Sequence, residues 1–362
     1  MNNKIKRVGV VLHPYNESNQ SGLGRYALEL TKEIINNDKN NKYIIFLKNI
    51  PNKDLRFESD NWEIKIINKK ILWLDRGLWK EKLDVCLFLT PVMPFFVKFK
   101  KSILVVPDLS YLHAKPKKLK EKIKKVIIFM VHRFSLKSVD KVVSISNATK
   151  KDILKYFNIS FEKIKVIYLG NNNLNLLKED FVETPNNFFL YVGVVKPRKN
   201  VLNLVKSFNE FKKQDKKGFK LIIVGSYGGD YYKEISDFIS RENITDEVLF
   251  KGYLTDEKIV YLYKKAYIFV YPSLIEGFGM TILEAQSFGL PVLISNINVF
   301  KEIFIRGGLF FNELDVDDMR AKFLEITQDE NLYQKLSKGS IINAGRFSWR
   351  KTALGFLELI NE

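Results

Sequence analysis

Short apolar runs alternate along the chain with longer stretches whose apolar residues recur at helical spacing. That alternation is the signature of strand–helix–strand units feeding a parallel sheet. In the first half it predicts strands at Arg7–Leu12, Tyr43–Leu47, Val85–Leu89, Ser102–Val106, Lys141–Ile145 and Lys165–Tyr168. In the second half it predicts them at Phe188–Val192, Lys220–Val224, Val248–Phe250, Ile268–Val270, Pro291–Ile294 and Gly308–Phe311. Helical periodicity fills the intervals, as at Leu202, Val205, Phe208 and Phe211. Between the halves, Gly170–Asn187 carries six Asn and one Pro, loses the periodicity and reads as a linker. The pattern therefore predicts an α/β chain of two doubly wound, Rossmann-like domains, 1–169 and 188–345, facing each other across a cleft. A length of 362 residues suffices for two such domains.

Composition narrows the classes. At 46% hydrophobic and 28% charged residues the chain has a globular profile. One cysteine, Cys86, excludes a disulfide framework and a thiolate zinc cluster, and three histidines leave little for a histidine metal site. No apolar run approaches the roughly 18 residues of a membrane span, so a soluble cytoplasmic protein is expected. The net charge of +18 is distributed unevenly. Residues 1–168 hold 34 Lys and Arg against 16 Asp and Glu, whereas 169–362 hold 25 of each. A field confined to one half favours an anionic partner there: nucleic acid, an anionic membrane or a phosphorylated substrate.

The chemistry concentrates after the strand Ile268–Val270, in Tyr271-Pro-Ser-Leu-Ile-Glu276-Gly-Phe-Gly-Met-Thr-Ile-Leu-Glu284-Ala-Gln-Ser-Phe-Gly289-Leu-Pro291. The spacing predicts a loop holding Glu276 and two glycines, then a helix from about Met280 to Gly289, a suitable residue just past a helix end. Gly277 and Gly279 admit a ligand to backbone N–H groups, and the helix N-terminus favours an anion. Carboxylates at 276 and 284 suit sugar hydroxyls, each accepting two or more hydrogen bonds from a polyol. The basic turn Lys196-Pro-Arg198-Lys199 supplies fixed cations for a departing diphosphate. Asp315-Val-Asp317-Asp318 matches a metal-binding DxD pattern, but it precedes an amphipathic stretch and reads as a helix cap, so no metal is expected. Gly22-x-Gly24-x-x-Ala27 fits a dinucleotide fingerprint only in its glycine spacing, because about ten residues separate it from its strand. No cofactor is expected.

These segments resemble glycosyltransferase family 4, retaining nucleotide-sugar enzymes of the two-domain GT-B fold, whose EX7E signature matches Glu276 to Glu284. The other landmarks come in family order: SGLGRY at 21–26, PDLSYLH at 107–113, SISNATKKDI at 144–153, YVGVVKPRKN at 191–200 and VLFKGYL at 248–254. SGLGRY and KPRKN resemble most the bacterial subgroup that builds surface polysaccharides, often from mannosyl donors. The resemblance implies that Glu276 contacts the donor sugar, that Gly277, Phe278 and Gly279 hold sugar and phosphate, and that Glu284 binds the ribose. It adds Arg198, Lys199, Met280, Thr281 and Leu254 to the donor site, and implies that a Gly-rich loop, here Gly22 to Gly24, closes over the diphosphate. It also implies acceptor binding by the N-terminal domain, donor binding by the C-terminal one, and a last helix, 346–362, packed back on the first domain. Two positions depart from the family. Its arginine directly after the glycine is here Val194, and its catalytic-site histidine is here Pro107, which cannot transfer a proton. Asp108 remains to orient or deprotonate the acceptor hydroxyl, with His113 six residues on or the leaving phosphate as alternatives.

The basic half has its own focus. Lys115 to Lys125 holds seven lysines in eleven residues, including Lys117, Lys118, Lys120, Lys124 and Lys125. Leu119, Ile123, Val126 or Ile127, Met130 and Phe134 fall along one side of the predicted helix. Either that stripe packs on the core under a solvated lysine face, or it faces an anionic membrane, as in relatives that meet lipid-linked acceptors at the inner leaflet. Phe95 and Phe96, beside Lys98, Lys100 and Lys101, and Trp73 with Trp79 and Lys80, repeat the mixture. No nucleic-acid-binding signature is present, so no nucleic acid is expected. The expected protein is a peripheral glycosyltransferase on the inner face of the plasma membrane, with GDP-mannose the favoured donor and a glycan or lipid-linked acceptor. A nucleotide-sugar epimerase and a non-catalytic membrane or nucleic-acid scaffold are the alternatives.

Overall fold

The computed structural model describes residues 5–13, 15, 22–51, 55–113, 118–172 and 174–362. The chain divides into two compact units, Met1–Gly170 with Ser348–Glu362, and Asn171–Phe347.

The first unit is built on a parallel sheet of seven strands: β1 (Arg7–Val11), β2 (Lys42–Leu47), β3 (Trp62–Ile66), β4 (Val85–Phe88), β5 (Ser102–Val106), β6 (Lys141–Ser144) and β7 (Ile164–Val166). Their order is β3-β2-β1-β4-β5-β6-β7, so the direction of winding reverses between β1 and β4. β4 and β5 are buried along their whole length, as central strands covered on both faces must be. The helices are α1 (Gly22–Asn37), α2 (Trp73–Leu78), α3 (Ser110–His113), α4 (Leu119–Ser138) and α5 (Asn147–Phe157). Strand β3 has no counterpart in the sequence reading. Its residues, WEIKI, are half-buried at the sheet edge and carry too little apolar alternation to announce a strand.

The second unit repeats the plan with β8 (Phe188–Val192), β9 (Lys220–Val224), β10 (Val248–Gly252), β11 (Ile268–Tyr271), β12 (Val292–Ser295) and β13 (Gly308–Phe311). The order β10-β9-β8-β11-β12-β13 places the reversal between β8 and β11. Its helices are α6 (Val201–Lys212), α7 (Gly229–Arg241), α8 (Asp256–Lys265), α9 (Met280–Ser287), α10 (Asn298–Ile303), α11 (Val316–Gln328) and α12 (Glu330–Ala344). Phe189 on β8 meets Phe208, Phe211, Phe219 and Phe323 at 4.7–5.9 Å between ring centres, joining α6 and α11 to the sheet. Asp315 caps α11, accepting from the amides of Asp317 at 2.9 Å and Asp318 at 3.1 Å.

Helix α13 (Trp349–Asn361) belongs to the first unit. Trp349 packs on Tyr26 of α1, and Thr352 donates to the carbonyl of Tyr168 at 2.8 Å. The Asn-rich stretch expected as a linker over 170–187 is not a free tether. From Asn171 onward it lies in the second unit, held by buried Asn172 and by the Asp180 amide on the carbonyl of Glu257 at 3.1 Å.

Candidate active site

In a doubly wound sheet, ligands bind beyond the carboxyl ends of the strands where the winding reverses. In the second unit those strands are β8 and β11, and both carry candidate residues in the loops that follow. After β8, the single turn Pro197–Lys199 presents Arg198 and Lys199. After β11 come Ser273 and Glu276. The two loops are tied together: the Leu274 amide donates to the Arg198 carbonyl at 2.9 Å, and Ser273 Oγ lies 3.2 Å from the same oxygen.

Three groups converge on one carboxylate oxygen, Glu276 Oε1. Lys199 Nζ donates to it in a short contact, Ser273 Oγ donates at 2.6 Å, and Arg198 Nη1 lies 3.3 Å away. Lys199 is 7% exposed and also donates to the buried hydroxyl of Tyr271. Burial works against the Lys199 charge, but Tyr271 and Glu276 outweigh it and hold the ammonium above the ordinary lysine range. Burial, reinforced by Glu276, raises the Tyr271 phenol, which therefore stays neutral at physiological pH. Tyr191 stacks on Tyr271 with ring centres 5.5 Å apart. The Arg198 side chain is 43% exposed and thus the more accessible of the two cations.

The glycine loop continues into α9. Gly279 has φ +104°, so the backbone favours glycine, and a Cβ there would lie in tight contact, 3.0–3.1 Å from Ile282, Phe300 and Phe304. The first backbone bonds of α9 run from the Ile282 and Leu283 amides to the Gly279 carbonyl. The amides of Met280 and Thr281 stand at the open end of the helix, where an anion is favoured. Gly277 and Phe278 are buried, Phe278 meeting Phe347 edge-on at 5.6 Å. Glu284 lies one turn further on, 4% exposed, accepting from Asn172 Nδ2 at 2.6 Å and Tyr263 Oη at 3.3 Å. Leu254 sits in the loop after β10, at the same carboxyl end of the sheet.

Sequence reasoning anticipated Glu276, Glu284, Arg198 and Lys199 but assigned no role to the groups that hold them. Ser273 and Tyr271 lie inside the quoted segment without any pattern marking them as partners. Asn172 and Tyr263 reach Glu284 from 112 and 21 residues away, which no local signal reveals.

In the first unit the candidates are more dispersed. Gly22 and Gly24, expected in a loop, form the first turn of α1. Among the described residues a Cβ on Gly22 would meet nothing within 4 Å. Asp108, exposed beyond β5, accepts from the Ser110 amide at 2.9 Å and starts α3. Behind it, His132 is 9% exposed. Burial lowers its pKa to about 4, against the opposing pull of Asp108. His113 is held by Asp152 of α5 at 3.1 Å, with Tyr156 against its ring edge-on.

The stripe on α4 does not pack on the core. Leu119, Ile123, Val126, Ile127 and Met130 are 52–72% exposed, beside exposed Lys118, Lys120 and Lys124. Lys125 is half-buried and donates to the Leu112 carbonyl at 2.7 Å; Lys117 lies outside the described residues. Phe95 and Phe96 are exposed, and Phe95 meets Phe134 of α4 at 4.9 Å. Among the described residues no helix is long and apolar enough to cross a membrane.

Two doubly wound parallel sheets of this kind match the GT-B fold of glycosyltransferases. Sucrose-phosphate synthase from Thermosynechococcus elongatus shares the fold with a TM-score of 0.79 over 98% of each chain, at 17% identity. Residues 172–343, which contain the whole site around Glu276, match the family described as glycosyl transferases group 1. Among curated relatives, the O-antigen chain mannosyltransferase B of Escherichia coli is 29% identical over 59% of this chain and 58% of its own length. The O-antigen chain mannosyltransferase RfbU of Salmonella typhimurium is 34% identical over 57% and 56%. The chain thus aligns with little more than half the length of either.

Proposed function

We propose that this protein is a retaining hexosyltransferase that moves a sugar from a nucleotide-sugar donor, GDP-mannose in the favoured reading, onto a glycan or lipid-linked glycan of a surface polysaccharide. The observation that carries this reading is the convergence of Lys199, Arg198 and Ser273 on Glu276 beside the open end of α9. A diphosphate brings its charge to Arg198, Lys199 and the amides of Gly277 to Thr281, and the leaving group is stabilised without a divalent ion. Glu276, held by Ser273 and Lys199, accepts hydrogen bonds from the sugar hydroxyls. Glu284, oriented by Asn172 and Tyr263, takes the ribose, and Phe278, Met280, Thr281 and Leu254 complete the donor site. On the first unit, Gly22 and Gly24 serve the donor phosphates and Asp108 the acceptor hydroxyl. The mannosyl donor is favoured because the O-antigen relatives are named mannosyltransferases.

The exposed stripe on α4, flanked by lysines, supports peripheral attachment to the inner face of the plasma membrane, each lysine near the surface contributing about 1 kcal/mol against anionic lipid. The decisive experiment is nucleoside diphosphate release from GDP-, UDP- and dTDP-sugars, with and without a cell-derived glycan acceptor and with a chelator present. Acceptor-dependent release from GDP-mannose that survives chelation is expected. Acceptor-free sugar interconversion would make the protein an epimerase, and activity that requires added manganese would refute the metal-free site.

A further inference from the structure

Between α2 and the loop around Phe96 lies a cavity of about 780 Å³ within the first unit. Its wall combines Lys69, Arg76 and Lys80 with the apolar faces of Leu72, Trp79 and Phe96. None of these cations makes an ion pair within the described residues. The acids nearby are already committed. Asp75 is buried and accepts from the Phe96 amide at 2.7 Å, while Glu81 is paired with Lys65 at 2.8 Å. That Asp75 bond also ties the two walls together, so the cavity is held open by the fold.

Two further features set the place apart. Trp79 is 67% and Phe96 69% exposed, large apolar surface left in water beside unpaired cations. Leu72, at the lip, has φ +48° and ψ +44°. It is the one described residue other than Asn or Gly with a positive φ, a conformation that costs energy for a branched side chain and clusters at ligand sites.

We propose that this cavity binds the terminal phosphate ester of a single apolar chain, the chemistry of a lipid carrier. Three unpaired cations suit a group carrying about two negative charges, which a terminal phosphate monoester has near neutral pH and a phospholipid diester lacks. Leu72, Trp79 and Phe96 cover the methylenes next to it. The occupant is the free carrier, because a carrier bearing a glycan has no terminal monoester; the inference is therefore separate from the acceptor reading above, and its test needs no donor.

The full-length protein is titrated with farnesyl phosphate below its aggregation concentration, and Trp79 fluorescence is read as the difference between the native protein and Trp79→Phe. Saturable binding is expected, weakened about tenfold or more in Arg76→Gln/Lys80→Gln, whose charged groups are exposed and whose thermal unfolding should match that of the native protein. Dihexanoylphosphatidylglycerol, inorganic phosphate and dodecyl maltoside should each bind at least about tenfold more weakly. Equal binding of any one of them overturns the proposal, in favour of a bulk-lipid, simple-anion or merely apolar site respectively. Farnesyl phosphate binding that is absent, or indifferent to the double substitution, overturns it as well. If the lipid phosphate binds but no nucleotide sugar is turned over, the transferase reading fails and the cavity assignment stands; the reverse result sinks the cavity alone.

Discussion

Lysine does opposite work in the two units. In the second, Lys199 is buried between Glu276 and Tyr271, its charge fixed by oxygen atoms and its position set by the loops after β8 and β11. In the first, Lys118, Lys120 and Lys124 stand in water at and along α4 without a fixed acceptor among the described residues, beside apolar side chains that are equally exposed. A buried charge acts through geometry and is costly to remove, because its partner is left uncompensated. Exposed charges act through a summed field, are screened by salt, and tolerate rearrangement. The first arrangement suits one defined anion; the second suits a surface.

Replacing Lys199 by Met should break the contrast most. It leaves Glu276 without its buried partner, and a loss of about 3 kcal/mol in denaturant stability is expected, with donor turnover down at least about a hundredfold. Neutralising Lys118, Lys120 and Lys124 together to Gln should cost about 3 kcal/mol of binding to anionic vesicles, more than a hundredfold in partition, while the melting temperature stays within about 2 °C. Vesicle binding indifferent to these changes, to anionic lipid content and to salt would remove the membrane reading. Gly279→Ala, forced to φ +104° with its methyl against Phe300 and Phe304, should destabilise the second unit by about 2 kcal/mol, read by urea unfolding.

The smallest effects are in pH. His132 is held neutral by burial, with a folded pKa of about 4 against an ordinary value of 6.5. Its depressed pKa means that the unfolded chain takes up a proton first as pH falls. Over the first pH unit below about 6.5 stability should therefore decline by about 1 kcal/mol, a component missing in His132→Asn. Lys199 has the opposite sign. Its raised pKa leaves the pairing with Glu276 intact through neutrality, and the contribution is lost only as pH rises above the ordinary lysine value of about 10.4.

Much of the architecture was legible before any coordinates because parallel strands buried on both faces appear as apolar runs. Ser102–Val106, Phe188–Val192 and Lys220–Val224 stand where the pattern put them. The edge strand Trp62–Ile66 was not legible, since half-burial leaves only a diluted pattern. The loop–helix segment from Glu276 to Glu284 was readable as a ligand site because glycine, carboxylate and helix start fall within nine consecutive residues. Its supporting partners were not.

The order of residues alone thus carried what short-range physics encodes: the strand–helix rhythm, the start of α9, the Asp315 cap and the confinement of positive charge to one half. Only the folded chain could decide that Lys199 reaches Glu276 across 77 positions, that Asn172 belongs to Glu284, and that the apolar side of α4 faces water instead of the core. Those outcomes depend on which surfaces meet after packing. An amphipathic pattern says that a face is apolar but not what, if anything, covers it.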